Sequence, residues 1–232
     1  MSWVRVFGPE GPCPDSVLAA EPVARPRTAL PVRQGEAQHL AAHLARLEAA
    51  ACALGEPTAW LQDLAGPLGE WLSAEAVADA ALRLRLHPGQ LEARLEPLPT
   101  APQPYRLLAR PHPLGARRGD PILVHKGLSG SWGRDLLAEA HSLGAEDALL
   151  IWPDGTLAET AIASICLEVG TELRVPLPGG RVASLAERLE LPRWAAARGL
   201  RRVEAPVTLE EAALGQLWCM NALRGIWPAT IL

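Results

Sequence analysis

Hydrophobic residues in the first third of the chain follow two periods, one typical of helices and one typical of strands. Leucine and alanine recur at helical spacing over 38–54 and stop at Gly55, which predicts a helix there. A second helical stretch is predicted over 58–80. Over 82–86, leucine alternates with arginine, the pattern of a half-buried strand. This part of the chain is therefore predicted to mix helices with strands.

Proline and glycine mark the less regular parts of the sequence. Residues 1–36 are rich in both and weakly patterned, which predicts loops and short edge strands. Prolines recur over 96–120, typical of an extended strand with broken ends or of an interdomain connection. We place a boundary in this segment, between a small N-terminal α+β domain (1–113) and a larger C-terminal domain with a mixed sheet (114–232). The predicted fold class is mixed α/β in two domains.

The C-terminal half carries the clearer strand signals. Pro121–Val124 is predicted to be a short strand, and 134–143 a helix that stops at Gly144. Residues 148–152 and 156–159 are predicted strands on either side of the turn Pro153-Asp154-Gly155, and together they predict a hairpin. A further strand is predicted over 162–169.

Helix-start signals follow these strands. S-x-x-E at 184–187 and T-x-x-E at 208–211 match the capping box, so each predicts the first turn of a helix. Residues 218–220 predict a buried strand, followed by a turn or short helix over 221–226.

Charge and cysteine usage exclude several classes of protein. The chain has 22 basic and 26 acidic residues, a net charge of −4, which gives no electrostatic footprint for nucleic acid. No run of about 18 apolar residues suggests a membrane span, and 1–14 lacks the apolar core of a secretion signal. Four widely spaced cysteines indicate isolated thiols and predict neither a zinc site nor a disulfide framework. We expect a cytoplasmic globular protein that holds no metal.

Lys126 is the only lysine in the chain, and the other basic residues are arginines. A primary amine can lose its proton and attack a carbonyl, whereas a guanidinium stays charged, so Lys126 is a candidate nucleophile. Composition alone leaves a second interpretation open, in which a bias towards arginine has removed lysines elsewhere and left this one by chance.

Several motifs in a fixed order resemble the class IV, or fold type IV, pyridoxal-phosphate enzymes. This family includes branched-chain and D-amino-acid aminotransferases and aminodeoxychorismate lyase. The resemblance covers most of 38–232. It is carried by H-L-A-R-L at 43–47, H-K at 125–126, E-D-A-L-L-I-W-P-D-G-T-L-A-E-T at 146–160, P-L-P-G-G-R-V-A-S-L at 176–185, T-L-E-E-A at 208–212 and C-M-N-A-L-R-G-I-W-P at 219–228.

The resemblance implies pyridoxal 5'-phosphate as cofactor and a role for each matching residue. Lys126 would hold the cofactor as a Schiff base, and Glu159, 33 residues later (159 minus 126), would face the pyridine nitrogen. Arg46 would bind the phosphate. Backbone N–H groups at predicted helix starts would complete the phosphate site, at Ser184, Leu185, Asn221 and Ala222. An exposed helix arginine and ordinary helix caps are the alternative interpretations of these residues.

The ending N-A-L-R-G-I-W-P is closer to that of aminodeoxychorismate lyase than to the T-G-T usual in aminotransferases. The resemblance therefore implies conversion of 4-amino-4-deoxychorismate to 4-aminobenzoate and pyruvate, in folate biosynthesis. The alternatives are a class IV aminotransferase of the branched-chain or D-amino-acid type and a non-catalytic relative that binds pyridoxal phosphate. The family also implies a homodimer.

Overall fold

The computed structural model describes residues 3–13 and 24–232, which form two compact units. Unit 1 contains the described residues up to Pro99 together with His125–Gly130, and unit 2 contains Thr100–Val124 and Ser131–Leu232. Lys126 therefore belongs to unit 1. The domain division at 113/114 stays a prediction.

Unit 1 is an antiparallel sheet with two helices. Its strands are β1 (Trp3–Gly8), β2 (Gly11–Cys13), β3 (Arg27–Arg33), β4 (Glu36–Ala37), β5 (Asp79–His87) and β6 (Gln90–Glu96), and its helices are α1 (Leu40–Cys52) and α2 (Ala65–Ala74). The strand order is β2-β1-β6-β5-β3-β4. Leu82 and Leu84 of β5 are buried and pack in one core with Leu44 and Leu47 of α1, while Arg83 faces solvent. The predicted helix over 38–54 and strand over 82–86 are confirmed.

Two predictions in unit 1 need correction. The stretch 58–80 is not one helix: a 3-10 helix (Ala59–Leu64) precedes α2, and β5 begins at Asp79. Pro67 contributes to the break because it has no N–H for the carbonyl four residues earlier. In the first 36 residues, β1 and β3 are interior strands and only β2 and β4 lie at edges. The part of that prediction on 1–2 and 14–23 lies outside the described residues.

Unit 2 is an eight-stranded mixed sheet with four short helices. The strands are β7 (Arg106–Pro111), β8 (Asp147–Ile151), β9 (Leu157–Thr160), β10 (Ser164–Val169), β11 (Glu172–Val175), β12 (Arg201–Glu204), β13 (Gln216–Asn221) and β14 (Gly225–Ile231). The helices are α3 (Trp132–Ser142), α4 (Leu185–Leu189), α5 (Leu191–Ala197) and α6 (Leu209–Leu214). The strand order is β12-β11-β10-β13-β14-β7-β8-β9, and β7 pairs in parallel with both β14 and β8.

The β8–β9 hairpin, whose second strand carries Glu159, is buried on both faces of the sheet. In β8, Leu149 packs in one core while Ala148 and Leu150 pack in another, together with Ala140 of α3. This explains the uninterrupted apolar run that the sequence shows there. The β8–β9 hairpin, the strand over 162–169 and the helix over 134–143 are confirmed. The proline-rich stretch contains a true strand, β7.

Pro121–Val124 forms a 3-10 turn, so the predicted strand is wrong. The Asp120 side chain accepts a hydrogen bond from Ile122 N (3.0 Å), and its carbonyl accepts one from Leu123 N (3.1 Å). These local bonds bend the backbone away from an extended conformation, and an apolar run of four residues cannot reveal them.

Among the described residues, no helix is long and apolar enough to cross a membrane. Within the same residues, no cluster of three or more His, Cys, Asp or Glu side chains could hold a metal ion. The four cysteines are free thiols.

Candidate active site

Lys126 lies on a turn that is fixed to β3 of unit 1. Arg27 N donates a hydrogen bond to the Lys126 carbonyl (3.1 Å). The next residue, Gly127, has φ +96°, and a Cβ there would collide with the Arg25 carbonyl oxygen and lie 2.8 Å from Arg27 Cγ. Only glycine tolerates both the conformation and the close approach. The half-buried Lys126 is therefore positioned by its own backbone and by the absence of a side chain after it.

Helix α1 brings His43 and Arg46 into the electrostatic environment of Lys126. His43 is buried, and its Nδ1 forms a 2.6 Å hydrogen bond with Thr28 Oγ1. Burial, followed by the positive charges of Arg46, Lys126 and His39, lowers the pKa of His43 to about 3. Burial, followed by the charge of Arg46, also lowers the pKa of His125. Unit 1 thus holds two cations, Lys126 and Arg46, around an imidazole that stays neutral at pH 7.

Glu159 lies on β9 of unit 2 and is buried. Both of its carboxylate oxygens accept hydrogen bonds from Val182 N, each at 3.1 Å. A backbone N–H shared between the two carboxyl oxygens fixes the plane of the carboxyl group. The site therefore presents an oriented carboxylate.

Ser184 caps α4 and is itself held by the neighbouring strand. Its Oγ accepts from Glu187 N (3.1 Å), and its N donates to Ser164 Oγ on β10 (2.8 Å). The predicted start of a helix at 184–185 is confirmed. The capping box is only half formed, because the Glu187 side chain pairs with Arg181 instead of returning to Ser184.

Asn221 and Ala222 do not begin a helix, which corrects the sequence prediction for these two residues. Asn221 ends β13, and its Oδ1 accepts from Leu223 N (3.1 Å) and Arg224 N (3.0 Å) across the turn to β14. An asparagine can cap a turn in the way that it caps a helix, so the side-chain pattern cannot separate the two. Asn221 Nδ2 also donates to the Ile162 carbonyl (3.4 Å), close to the start of β10.

The candidate residues are thus divided between the two units. Unit 1 brings together Lys126 and Arg46. In unit 2, hydrogen bonds through Val182, Ser164 and Ile162 link the segments that carry the other candidates, Glu159, Ser184, Leu185, Asn221 and Ala222.

Sequence reasoning missed three features around these residues. The close approach of Gly127 to Arg25 and Arg27 depends on its positive φ, and the sequence does not show which glycine of a glycine-rich loop adopts that conformation. Val182 acts through its backbone, so its side chain carries no signal. Asp147 is buried and accepts hydrogen bonds from Thr160 Oγ1 (2.6 Å) and Tyr105 Oη (3.2 Å), and burial raises its pKa to about 6 despite these bonds. The one sequence feature that could have pointed to Asp147 is the single tyrosine of the chain, but it lies far from Asp147 in sequence.

Comparisons with known proteins give the same family as the motifs. Residues 28–232 match the family described as amino-transferase class IV. No curated protein sequence matches the chain. A fold IV transaminase from Curtobacterium pusillum has a similar structure, with a TM-score of 0.81 and 17% identity over 99% of this chain and 92% of that chain.

Two other solved structures represent related activities. A hypothetical aminotransferase from Mycobacterium tuberculosis, in a form bound to pyridoxal phosphate, gives a TM-score of 0.77 and 20% identity over 98% of this chain and 90% of that chain. A 4-amino-4-deoxychorismate lyase from Pseudomonas aeruginosa gives a TM-score of 0.72 and 20% identity over 100% of this chain and 91% of that chain. At these identities the likeness shows the fold, and it confirms the predicted fold type IV architecture. Because the family model spans most of its length, the chain belongs to the amino-transferase class IV family of enzymes.

Proposed function

We propose that this chain is a pyridoxal-phosphate-dependent lyase that converts 4-amino-4-deoxychorismate to 4-aminobenzoate and pyruvate. The observation that carries the cofactor assignment is the environment of Lys126, the only lysine, which is fixed to β3 by its backbone and acts, like Arg46, within electrostatic range of the buried His43. The lyase assignment is supported by the ending N-A-L-R-G-I-W-P at 221–228 and by a structural likeness to a lyase of this activity.

The donor groups fit the chemistry of pyridoxal phosphate. Lys126 supplies an amine for its aldehyde, and Arg46 supplies a guanidinium for its phosphate. Glu159 supplies a carboxylate for the pyridine nitrogen. At the start of α4, Leu185 supplies a backbone N–H group, while Ser184, whose own N–H is bonded to Ser164 Oγ, caps the helix. The turn at Asn221 and Ala222 supplies further backbone groups. When bound, the cofactor supplies an electron-accepting ring.

Lys126 would have two tasks in this proposal. Its amine would hold the cofactor covalently, and once displaced by the substrate amine it would accept a proton from the substrate carbon. Both tasks need an amine that can lose its proton, which no other basic side chain of the chain offers at neutral pH.

Glu159 would hold a proton on the pyridine nitrogen of the bound cofactor through its negative charge. The hydrogen bonds from Val182 N orient the carboxyl group before the cofactor arrives, so little reorganisation is needed on binding. Loss of the enolpyruvyl group leaves an aromatic ring, and the stability of that ring favours elimination.

A class IV aminotransferase of the branched-chain or D-amino-acid type is the second candidate, and it is favoured by the transaminases among the similar structures. The two candidates differ in their products. A lyase releases pyruvate and 4-aminobenzoate from 4-amino-4-deoxychorismate, whereas an aminotransferase exchanges amino groups between an amino acid and a keto acid. A carrier that binds the cofactor without turnover would do neither. The protein is also proposed to be cytoplasmic and to form a homodimer.

Borohydride reduction of the protein with bound cofactor tests the assignment of Lys126. We expect a reduced pyridoxyl adduct on the peptide that contains Lys126, and an adduct on the N-terminal amine alone would contradict the assignment. Lys126→Ala should lose the adduct and nearly all turnover. Lys126→Arg is the matched control for charge: it keeps the cation but offers no nucleophile, so it should be equally inactive.

Product analysis of the wild type separates the candidates. Release of pyruvate with 4-aminobenzoate in equal amounts supports the lyase, and amino exchange without 4-aminobenzoate supports the aminotransferase. A protein that forms the adduct but yields neither outcome is a cofactor carrier.

A further inference from the structure

Arg181 and Glu187 form an ion pair in the interior of unit 2. Arg181 Nη1 lies 2.7 Å from Glu187 Oε2, and Nη2 lies 2.9 Å from Oε1, the bidentate geometry of a guanidinium on a carboxylate. The side chains are 4% and 3% exposed. The pair joins the loop before α4 to the first turn of that helix.

The same guanidinium also donates hydrogen bonds to backbone carbonyls at the start of its own loop. Arg181 Nη2 donates to the Pro176 carbonyl at 2.9 Å and Nε donates to it at 3.2 Å, with a longer contact from Nε to the Leu177 carbonyl at 3.4 Å. Gly179 (φ +103°) and Gly180 (φ +73°) make the intervening turn. All three nitrogens of Arg181 are therefore used inside 176–187.

The fixed loop leads directly into two groups of the candidate site. Val182, the residue after Arg181, donates its N–H to Glu159, and Ser184 follows as the cap of α4. Arg181 also lies within electrostatic range of Glu159. Burial lowers the pKa of Arg181, but the hydrogen bonds and charge of Glu187, followed by the charges of Glu159 and Glu204, outweigh it and raise that pKa overall.

Stability alone is a weak reason for such a pair. Two charges lose their hydration in the protein interior, and well-packed apolar side chains of similar size often stabilise a fold as well or better. An ion pair does what an apolar pair cannot, because its hydrogen bonds fix direction as well as distance.

We propose that Arg181 and Glu187 are positioning residues for the cofactor site: their ion pair holds Val182 N–H against Glu159 and keeps Ser184 at the start of α4. The proposal rests on the proposed function, because Glu159 and Ser184 are its cofactor contacts. Neither side chain of the pair needs to touch the cofactor.

The double variant Arg181→Met/Glu187→Met tests the proposal without leaving a buried charge unpaired. Amide hydrogen exchange over 176–187 is measured in the cofactor-free protein, and the dissociation constant of pyridoxal phosphate is measured by absorbance titration. We expect exchange in this segment to become at least about 10-fold faster, and by a larger factor than in the rest of unit 2, because the Pro176 carbonyl loses its donors together with the ion pair. We expect the dissociation constant to rise at least about 10-fold.

Two further variants keep the test decisive. Arg181→Lys retains the charge but loses the bidentate geometry, so both effects should be intermediate, and this variant serves if the double variant does not fold. Arg106→Met/Glu146→Met removes another bidentate pair of unit 2, whose three hydrogen bonds lie between those two residues and not in 176–187. It should leave both measurements near the wild-type values.

Wild-type exchange over 176–187 in the double variant would overturn the proposal, and so would an unchanged dissociation constant with faster exchange. The outcome is separable from that of the proposed function. A wild-type protein that binds no pyridoxal phosphate overturns the proposed function, whereas unaltered exchange in the cofactor-free variant overturns the role of the ion pair by itself.

Discussion

The candidate residues of unit 1 and those of unit 2 are held in different ways. In unit 1, Lys126 depends on an irregular turn, a left-handed glycine and one backbone hydrogen bond from β3. In unit 2, Glu159 lies on a strand buried on both faces, and several side chains and amides hold the segments around it. The backbone of Lys126 therefore includes a steric condition at Gly127 that only glycine meets, whereas the carboxyl group of Glu159 is held through several hydrogen-bonded segments. Substitutions should affect the two parts unequally.

The largest effect is expected for Gly127→Ala. The new Cβ collides with the Arg25 carbonyl and requires a left-handed conformation, so we expect a loss of about 3 kcal/mol or more in the free energy of unfolding and a displaced Lys126. Urea unfolding and the yield of the borohydride adduct measure the two effects.

Gly119→Ala is the matched control for this change. Gly119 has the same φ of +96°, but a Cβ there meets no atom within 4 Å. Only the backbone strain of about 1–2 kcal/mol should remain, and the adduct should form normally. Equal losses in the two variants would mean that the close approach at Gly127 does not matter.

The same contrast explains how far the sequence could predict the site. The hairpin that carries Glu159 follows from the apolar run 148–152, the turn Pro153-Asp154-Gly155 and the short segment after it, because strand and turn signals are local. The backbone of Lys126 was not predictable in this way: the segment before it was expected to be a strand, and its contact partner in β3 is about 100 residues away. Composition singled out Lys126 as the only lysine, and family motifs, not local pattern, gave its role and identified Arg46.

Glu159→Gln tests the unit 2 side of the comparison. The amide can still accept from Val182 N through one oxygen, so the cofactor should bind, but a neutral group holds the pyridine proton poorly. We expect turnover to fall about 100-fold or more. Glu168→Gln, on β10 and hydrogen-bonded to Trp218, should stay within about twofold of the wild type. Wild-type turnover in Glu159→Gln would exclude this carboxylate as the partner of the nitrogen.

Arg46→Ala tests whether the second cation of unit 1 binds the phosphate. Loss of a charge-assisted contact worth about 1.5–3 kcal/mol should weaken pyridoxal phosphate binding about 10- to 100-fold. Turnover at saturating cofactor should change much less, since the phosphate is remote from the bonds that break. Arg83→Ala removes an exposed β5 arginine that pairs with Glu96 and should not alter the dissociation constant. An unchanged constant in Arg46→Ala would make Arg46 an ordinary helix residue.

The smallest effect concerns a buried titratable group in each unit, and the two should respond to pH in opposite directions. Burial and nearby cations lower the pKa of His43 to about 3, so the stability it contributes is present above its unfolded pKa of about 6.5 and is lost as the pH falls below that value. Burial raises the pKa of Asp147 to about 6, so its contribution is present below its unfolded pKa of about 3.8 and is lost as the pH rises towards 6.

Unfolding free energies of the cofactor-free wild type, His43→Gln and Asp147→Asn should therefore be compared from about pH 7 to about pH 5.5. Over this interval the wild type should lose about 1 kcal/mol relative to His43→Gln and gain about 1 kcal/mol relative to Asp147→Asn. These differences are small because the interval covers only part of each titration. Parallel curves for the wild type and His43→Gln would mean that His43 is not kept neutral by burial and by the cations of unit 1, and the electrostatic link between His43, Arg46 and Lys126 would have to be abandoned.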